Sequence, residues 1–241
     1  MTERILQEHR EIWQQKPVLR AIYTDFYQRI TSACRPGRTL EIGGGTGNLK
    51  EYLRRVISTD ILPTGWIDAA ADAQELPFTE LSFANIVGVD VLHHIERPIR
   101  FFEESFRVLK PGGRIILIEP AITPLSWVFY KLFHPEPVVM KTDPFSEKVV
   151  DPNRLPFDAN QAIPTLLFHR YRYRLLEMFR DITNIKIEYF SLVAYPLSGG
   201  FRSWCIIPLS MVESLLHIDN LLCNLVGRQI AFRLFIVIDK N

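Results

Sequence analysis

The sequence is poor in cysteine and has almost no excess charge of either sign. Its three cysteines, Cys34, Cys205 and Cys223, lie far apart and are odd in number. They indicate neither a disulfide framework nor a paired-cysteine metal site, and a reducing compartment is the simplest context. With 28 Lys and Arg against 27 Asp and Glu, the net charge is +1. This balance disfavours nucleic acid as the main partner, because polyanion binding needs a basic surface.

Long hydrophobic runs and several site motifs are also absent. The longest apolar stretches are interrupted by Glu119 and Glu213 and fall short of the ~18 uncharged residues that a spanning helix needs. The first 20 residues lack the apolar core of a secretory signal, so we expect a cytoplasmic protein. The histidines show no HxH or HxxxH spacing, and His93 next to His94 is poor ligand geometry on its own, so no metal site is predicted.

What the chain does have is a globular composition, with 47% hydrophobic and 12% aromatic residues over 241 positions. Short apolar segments alternate with helical patterns, which predicts an α/β fold with a parallel sheet covered on both faces. The predicted strands are 39–42, 56–60, 65–68, 83–89, 114–118, 185–193 and 231–238. The predicted helices are two segments within 3–33 divided by Pro17, then 48–55, 98–109, 165–180 and 207–226.

A segment rich in proline and aromatic residues interrupts this alternation between residues 119 and 164. Loops of this length without regular structure are usually functional or disordered, and the aromatic residues favour an ordered lid. Within it, Pro135 and Pro137 hold His134 and Glu136 in an extended segment. That rigidity suits a residue presented to a substrate, and it suits a stiff loop equally well.

The most informative segment is the glycine-rich turn that follows the first strand. Glycine at 43, 45 and 47 lets the backbone turn sharply and approach a ligand without interference from Cβ atoms. The dinucleotide fingerprint GxGxxG would need a further glycine at position 48, which is Asn48. Asp60 ends the second strand, where its carboxylate can accept hydrogen bonds from both ribose hydroxyls.

In its motifs the chain resembles the class I S-adenosylmethionine-dependent methyltransferases, in particular the small-molecule branch called methyltransferase type 11. The match extends from Leu40 to Pro120 and consists of four blocks in the family's order. These are Glu41 to Gly47 with Asp60, then Asp72 to Phe78, Asp90 to Ile95, and Arg107 to Arg114. The resemblance implies a Rossmann-like three-layer sandwich whose seven-stranded, mostly parallel sheet has an antiparallel last strand.

The resemblance also implies a single domain over residues 1–241. It would comprise a helical N-terminal cover (1–37), a cofactor-binding half (38–120), an inserted lid (121–164) and the C-terminal half of the sheet (165–241). In the family, the Lys110-Pro-Gly-Gly113 turn is a signature of the fold and not a ligand contact.

The cofactor implied is S-adenosylmethionine, with S-adenosylhomocysteine as the product. The family pattern gives Glu41 the methionine amine, Asp60 the ribose diol and Asp72 the adenine amine. Asp72 and Asp90 also have an ordinary explanation, since aspartates often cap turns. The remaining implied cofactor contacts are the glycine backbone at Gly43, Gly45 and Gly47, Ile61 and Ala73 against the adenine, and Asp90 near the methionine portion.

Methyl transfer from a sulfonium is a direct displacement, and a general base is needed only for a protonated acceptor of high pKa. His94 is the candidate base, although the His93-His94 pair also fits a role in capping the next helix. The candidate substrate residues are Tyr23, Tyr27, Tyr130, His134 and Arg202.

The predicted activity is methylation of a small, partly apolar acceptor at oxygen or carbon. A lipid or quinone-like compound, a natural-product intermediate and a sugar on a lipid carrier are all compatible with it. The alternatives are a catalytically inactive cofactor-binding scaffold and, less favoured, a nicotinamide-dependent oxidoreductase. A monomer or homodimer is expected. A membrane surface is a possible partner, but the apolar segment 205–226 fits a core or dimer-interface helix better.

Overall fold

The computed structural model describes residues 2–146, 151 and 153–241, and it places helices on both faces of one sheet. The helices are α1 (Thr2–Gln15), α2 (Pro17–Ala33), α3 (Pro98–Val108), α4 (Pro124–Phe133), α5 (Ile163–Thr165), α6 (Arg172–Met178), α7 (Ala194–Ser198) and α8 (Val212–Ile230). The strands are β1 (Thr39–Ile42), β2 (Val56–Asp60), β3 (Ala69–Ala70), β4 (Phe83–Val89), β5 (Leu109–Pro120), β6 (Ile182–Phe190) and β7 (Arg233–Lys240).

The seven strands follow the order β3-β2-β1-β4-β5-β7-β6. Strands β1 to β5 pair in parallel, and β7 is antiparallel to both of its neighbours, β5 and β6. The predicted fold class, a mostly parallel sheet with an antiparallel last strand, is confirmed. Since the parallel strands all end at one edge, the loops that follow them converge there.

Alternate residues of the central strands pack into two separate cores. In β4, Ile86 packs with Phe101 and Phe102 of α3, whereas Val87 faces the side of α2 that carries Ile22. This burial on both faces explains why the central strands are apolar without the alternation of half-exposed strands. Helix α2 begins at Pro17 and buries the apolar stripe predicted for it.

Three local predictions are wrong. The strand expected at 65–68 is a turn, because the Asp68 carboxylate accepts the Ser58 amide at 2.8 Å and delays pairing until β3. The helix expected at 48–55 is a single 3-10 turn, Asn48–Glu51, and Arg55 takes a left-handed φ of 60° before β2 begins. Lys110 to Gly113 lie within β5 and form an irregularity in its pairing with β4.

The insertion (residues 121–164) contains a regular helix that the sequence did not predict. Helix α4 begins with a capping box in which Thr123 and Ser126 satisfy each other's backbone amides. Residues 147–150 and 152 of the predicted lid lie outside the described residues. The helix expected at 165–180 begins instead as a π-helical turn, Leu166–Arg170, and continues as α6.

Large exposed apolar side chains are concentrated in α4, in residues 204–211 and in α8, which packs against α4. This apolar surface comprises Leu125, Trp127, Val128, Leu132, Phe133, Trp204, Ile206, Leu209, Met211, Ile218, Leu221, Leu222, Leu225 and Val226. Within the described part of the chain, no helix combines the length and the hydropathy needed to cross a bilayer.

Candidate active site

A cavity of about 890 Å³ opens where β1, β2, β4 and β5 end. Its lining brings together all but one of the residues that the sequence analysis selected. These are Tyr23, Tyr27, Glu41, Gly43, Gly45, Asp60, Ile61, Asp72, Ala73, Asp90, His94, Tyr130, His134 and Arg202. The exception is Gly47, which packs against Trp66, where a Cβ would lie 2.9 Å from the indole.

The glycine turn is shaped by steric contacts as well as by backbone angles. Gly43 has a φ of +62°, and a Cβ there would lie 2.5 Å from Val91 Cγ2. Gly44, which the sequence analysis did not select, leaves no room for a Cβ beside the Ser58 hydroxyl. Gly43 and Gly44 therefore fit only because they lack side chains.

Asp60 at the end of β2 already organises the turn. One carboxylate oxygen accepts the Gly45 amide at 2.9 Å, and the other accepts the Leu62 amide at 2.9 Å. Each oxygen keeps a second lone pair, so the carboxylate can still accept hydrogen bonds from a diol.

Glu41 is buried at the end of β1, and the Ser58 hydroxyl donates to its carboxylate. Burial raises the pKa of Glu41 to about 7, although the Ser58 hydrogen bond and Lys50 act in the opposite direction. The carboxylate therefore becomes negative only near neutral pH, unless a cation binds beside it and stabilises the charge.

The residues that the family pattern places next to the adenine differ in how free their side chains are to contact a ligand. Ile61 is 52% exposed at the cavity wall, which leaves its side chain available to pack on a ring. The Asp72 carboxylate accepts the Gln74 amide at 2.8 Å and closes a turn, in line with the ordinary explanation for this residue. Asp72 and Ala73 nevertheless line the cavity.

Asp90 follows β4 with a left-handed φ of 55°, and its carboxylate pairs with Arg233 at the start of β7. Arg233 is only 5% exposed, and its guanidinium lies 4.3 Å from the Tyr195 ring centre. The sequence analysis missed Arg233. A cation within the apolar strand 231–238 was the available signal, because such a charge is rarely buried without a partner.

Aromatic side chains form another part of the cavity lining. Tyr23 and Tyr27 are buried on α2, and burial raises the pKa of both phenols well above the usual range, so both stay neutral. The Tyr130 hydroxyl donates to the Phe232 carbonyl at 2.8 Å. This part of the cavity therefore offers mainly apolar ring surface.

Two glutamates surround His93, the first residue of the histidine pair. His93 Nδ1 lies 2.7 Å from Glu119 Oε2, and Nε2 lies 3.5 Å from Glu136 Oε2. Glu119 is fully buried and also accepts the amides of Val91 and Leu92, which fixes this turn. Burial lowers the pKa of His93, but the two carboxylates outweigh it and raise the pKa to about 10.

His94, the candidate base, has the opposite character. Burial and the neighbouring His93 lower its pKa to about 4, so its ring is neutral at neutral pH. Its Nδ1 is buried and, among the described residues, has no hydrogen-bond partner. Glu136 stays ionised, since contact with His93 overcomes burial and lowers the Glu136 pKa to about 2.

The insertion is hydrogen-bonded to the 3-10 turn Leu92–His94, here called the histidine turn. The Asn160 amide donates to the His93 carbonyl at 2.9 Å, and Arg154 donates to the His94 carbonyl at 2.8 Å. His134 lies at the cavity wall, and its Nδ1 accepts the Glu136 amide at 3.3 Å. These contacts bring residues far apart in sequence to one wall.

A buried lysine fixes the loop that contains Gly200, Arg202 and Trp204. Lys16, between α1 and α2, donates to the carbonyls of Gly200, Arg202 and Trp204, each at 2.8 Å. The Arg202 side chain stays exposed at the cavity rim. The sequence analysis gave Lys16 no role, because nothing in its local pattern indicates contacts with residues about 190 positions away.

Comparisons with known proteins concern the family and the fold. Residues 40–117 match the family model described as a methyltransferase domain. A ubiquinone/menaquinone biosynthesis C-methyltransferase from Vibrio campbellii is 32% identical over 133 residues, which cover 43% of this chain and 51% of the relative. The chain thus spans about half the length of this curated relative. A protein of the same name from Bordetella parapertussis is 25% identical over 191 residues, which cover 68% of this chain and 69% of the relative.

Solved structures share the fold at low sequence identity. A Thermotoga maritima S-adenosylmethionine-dependent methyltransferase, described as a possible histamine N-methyltransferase, has a TM-score of 0.58 at 18% identity, covering 99% and 98% of the two chains. The Streptomyces coelicolor geranyl diphosphate C-methyltransferase, solved with Mg²⁺, geranyl diphosphate and S-adenosylhomocysteine, has a TM-score of 0.52 at 11% identity, covering 92% of this chain and 80% of that one.

Residues 40–117 are similar to a methyltransferase domain, in agreement with the family resemblance of the sequence motifs, and the solved structures show the same fold.

Proposed function

We propose that the chain transfers a methyl group from S-adenosylmethionine to a small, partly apolar acceptor, by direct displacement at oxygen or carbon. The observation that carries the proposal is the continuity of the cavity. The glycine turn and Asp60 line the same space as Tyr23 and Tyr130. A cofactor and an acceptor placed in it would meet away from bulk water, which direct displacement requires.

At the cofactor end, we assign Glu41 to the methionine amine, Asp60 to the ribose and Asp72 to the adenine amine. Glu41 and Asp60 lie on either side of the glycine turn, within the same cavity wall. A sulfonium cofactor also brings positive charge, which the adjacent carboxylates stabilise. Gly43 and Gly45 supply the close backbone approach.

At the acceptor end, we assign ring surface to Tyr23, Tyr27 and Tyr130, and polar contacts to His134 and Arg202. Arg233 adds a buried positive charge to the cavity lining, next to the Tyr195 ring. A charge beside aromatic surface favours an acceptor with one polar end and an apolar body.

A lipid-like or quinone-like acceptor fits the surroundings of the cavity. Phe133, Trp204 and Ile206 belong both to the cavity lining and to the apolar surface. The names of two similar proteins, a quinone-biosynthesis C-methyltransferase and a geranyl diphosphate C-methyltransferase, point to acceptors with apolar parts. The expected place of action is the cytoplasm, and co-sedimentation with neutral and anionic vesicles checks whether the apolar surface also binds lipid.

If the acceptor group is a hydroxyl, we propose that His94 is the general base that accepts the hydroxyl proton. Its ring is neutral at neutral pH and lies in the cavity wall, so it can accept a proton without first losing one. Turnover of His94→Ala at saturating cofactor decides the point. A rate near that of the native protein would remove the catalytic role and leave His94 as a structural residue.

The deciding experiment for the activity has two stages. Calorimetry with S-adenosylhomocysteine and with NAD tests the cofactor, since only a true ligand binds the native state. Methyl-labelled S-adenosylmethionine is then supplied with a prenylated hydroquinone and with the same hydroquinone lacking the prenyl tail. We expect S-adenosylhomocysteine to bind, NAD not to bind, and the prenylated compound to be the better acceptor.

Other outcomes would contradict the proposal in distinct ways. Binding of NAD alone would favour the oxidoreductase. Binding of S-adenosylhomocysteine without labelled product from any acceptor in a broad phenol, quinol and isoprenoid panel would favour the inactive scaffold. Equal labelling with and without the prenyl tail would remove the lipid-like acceptor but keep the methyl transfer.

A further inference from the structure

The histidine turn and the proline-rich segment of the insertion meet in a cluster that the proposed activity does not use in full. His93, His94 and Glu136 each offer one ligand atom, and these atoms lie within 4.8 Å of one another. All three residues line the cavity. We propose that they form a binding site for a divalent first-row transition-metal ion such as Zn²⁺, Co²⁺ or Fe²⁺.

The donor set suits this class of ion. Two imidazoles and one carboxylate are typical ligands of Zn²⁺, Co²⁺ and non-haem Fe²⁺, whereas Mg²⁺ and Ca²⁺ prefer oxygen donors alone. His93 Nε2 and Glu136 Oε2 are already 3.5 Å apart, a separation that an ion between them can bridge with small side-chain movements. Two adjacent histidines alone would be weak evidence for a metal site. Glu136 adds a third ligand from a different segment of the chain.

His93 is held as metal-binding histidines usually are. Its Nδ1 is fixed by the buried Glu119 at 2.7 Å, which leaves Nε2 directed toward Glu136 and the cavity. A carboxylate on the far nitrogen of an imidazole sets the ring's orientation and strengthens it as a ligand. Glu119 is itself held by the amides of Val91 and Leu92, so the support is rigid.

Glu136 is held in place by its flanking prolines and by Gln161. Pro135 and Pro137 restrict the backbone on both sides of it. The Gln161 side chain donates to its carboxylate, and the Gln161 amide donates to the Pro137 carbonyl at 3.0 Å. The unusual Phe133-His-Pro-Glu-Pro137 sequence thereby presents one carboxylate at a fixed place.

An ion pair of His93 with the two glutamates is the competing explanation. It accounts for His93 and Glu136, but it leaves His94 Nδ1 buried without a partner among the described residues. A bond from that nitrogen to an ion would remove the cost of an unmade interaction. The metal site therefore accounts for all three members of the cluster.

The role of the ion rests on the proposed methyl transfer, whereas the binding of the ion does not. Three protein ligands leave coordination positions open toward the cavity. With the ion bound, His94 is a ligand and not the base, and an acceptor hydroxyl on the ion would lose its proton to solvent more readily. The resulting oxyanion would form an O–C bond to the methyl carbon while the C–S bond breaks, leaving S-adenosylhomocysteine.

The test uses the full chain after dialysis against a chelator, with Co²⁺ titrated alone and followed by its visible d–d absorption. We expect one equivalent to bind with the spectrum of a nitrogen and oxygen site of low coordination number, and Zn²⁺ to displace it. His94→Ala and Glu136→Gln should each weaken Co²⁺ binding at least ~100-fold. Glu119→Gln should weaken it about 10- to 100-fold, as expected of a residue that orients a ligand.

His217→Ala is the matched control, because His217 is exposed on α8 and lies outside the cavity lining. Its Co²⁺ affinity should equal that of the native chain. Absence of a saturable Co²⁺ spectrum, or binding that His94→Ala and Glu136→Gln leave unchanged, would overturn the proposal. Calorimetry with S-adenosylhomocysteine on the same samples reports folding and the cofactor site separately.

Discussion

The two ends of the cavity are built in different ways. The end that we assign to the cofactor is made mainly by the stretch from Glu41 to Ala73, and its central feature is the backbone of the glycine turn. The end that we assign to the acceptor is assembled from α2, the histidine turn, the insertion, residues 195–206 and the start of β7. A site made by backbone depends on which side chains are absent, whereas an assembled site depends on long-range contacts between side chains.

The largest effect expected at the cofactor end is that of Gly44→Val. A side chain there collides with the Ser58 hydroxyl and forces the turn to move. Overpacking of this kind costs about 1–3 kcal/mol, and we expect no S-adenosylhomocysteine binding even ~100-fold above the native Kd. Calorimetry measures it. Gly65→Ala is the control, since nothing lies within 4 Å of that position; equal affinity of the two variants would contradict the steric argument.

Asp60→Asn should have the next largest effect. It removes the charge from a group that holds the Gly45 amide and faces the cavity. Losing a hydrogen bond to a charged group costs about 1.5–3 kcal/mol, so S-adenosylhomocysteine affinity should fall about 10- to 100-fold. Asp25→Asn, which alters an ion pair on α2, should leave the affinity unchanged. An unaffected Asp60→Asn variant would remove the assignment to the ribose.

The pH dependence of cofactor binding should report Glu41. Since burial raises its pKa to about 7, the carboxylate is mostly neutral at pH 6 and mostly ionised at pH 8. S-adenosylhomocysteine affinity should therefore rise about tenfold from pH 6 to pH 8, measured by calorimetry in buffers of matched ionic strength. Glu41→Gln should bind more weakly and show a flat profile over this range.

The same pKa has a consequence for stability. A carboxyl group whose folded pKa is raised favours folding most when it is protonated, so its contribution is lost as the pH rises from about 4.5 through about 7. Relative to the native chain, Glu41→Gln should become more stable at pH 8 than at pH 5. A stability difference independent of pH would contradict the raised pKa.

The smallest effect on cofactor affinity is expected from Lys16→Met, which acts at the acceptor end. The substitution leaves the carbonyls of Gly200, Arg202 and Trp204 without their donor. Urea denaturation should show a loss of about 1–3 kcal/mol, and amide exchange should quicken across residues 199–206. Lys110→Met, at an exposed lysine, is the control. If the loss of S-adenosylhomocysteine binding free energy exceeded the loss of unfolding free energy, the two ends would not be independent, and the prediction would be wrong.

The convergence of Glu41, Gly43, Gly45 and Asp60 on one cavity could be predicted from the sequence because its determinants are local. Glu41, the glycines and Asp60 lie within 20 residues and follow strands of recognisable pattern. The sheet could be predicted for the same reason, since each central strand is apolar and bounded by turn residues. The misplaced third strand shows the limit, because the Asp68 side chain shifts the pairing through a contact that no local pattern encodes.

The acceptor end could be predicted only in part. Glu119 and Arg233 interrupt otherwise apolar strands, and that observation marks them as unusual without showing which residues they contact. Glu136 was notable for its flanking prolines, but its meeting with His93 depends on how the insertion crosses the sheet edge. The proposed division into one domain with a cover and a lid stays a prediction.

Lys16, which directly follows helix α1, links the loop at residues 199–206 to the glycine turn through that helix. Within α1, Arg10 donates to the Thr46 carbonyl at 3.1 Å and lies over the Trp66 ring, so this helix rests on the glycine turn. The next residues of the same segment hold the loop that borders the acceptor. We therefore expect that a cofactor bound at the glycine turn also orders the loop at residues 199–206, and that the cofactor binds first and the acceptor second.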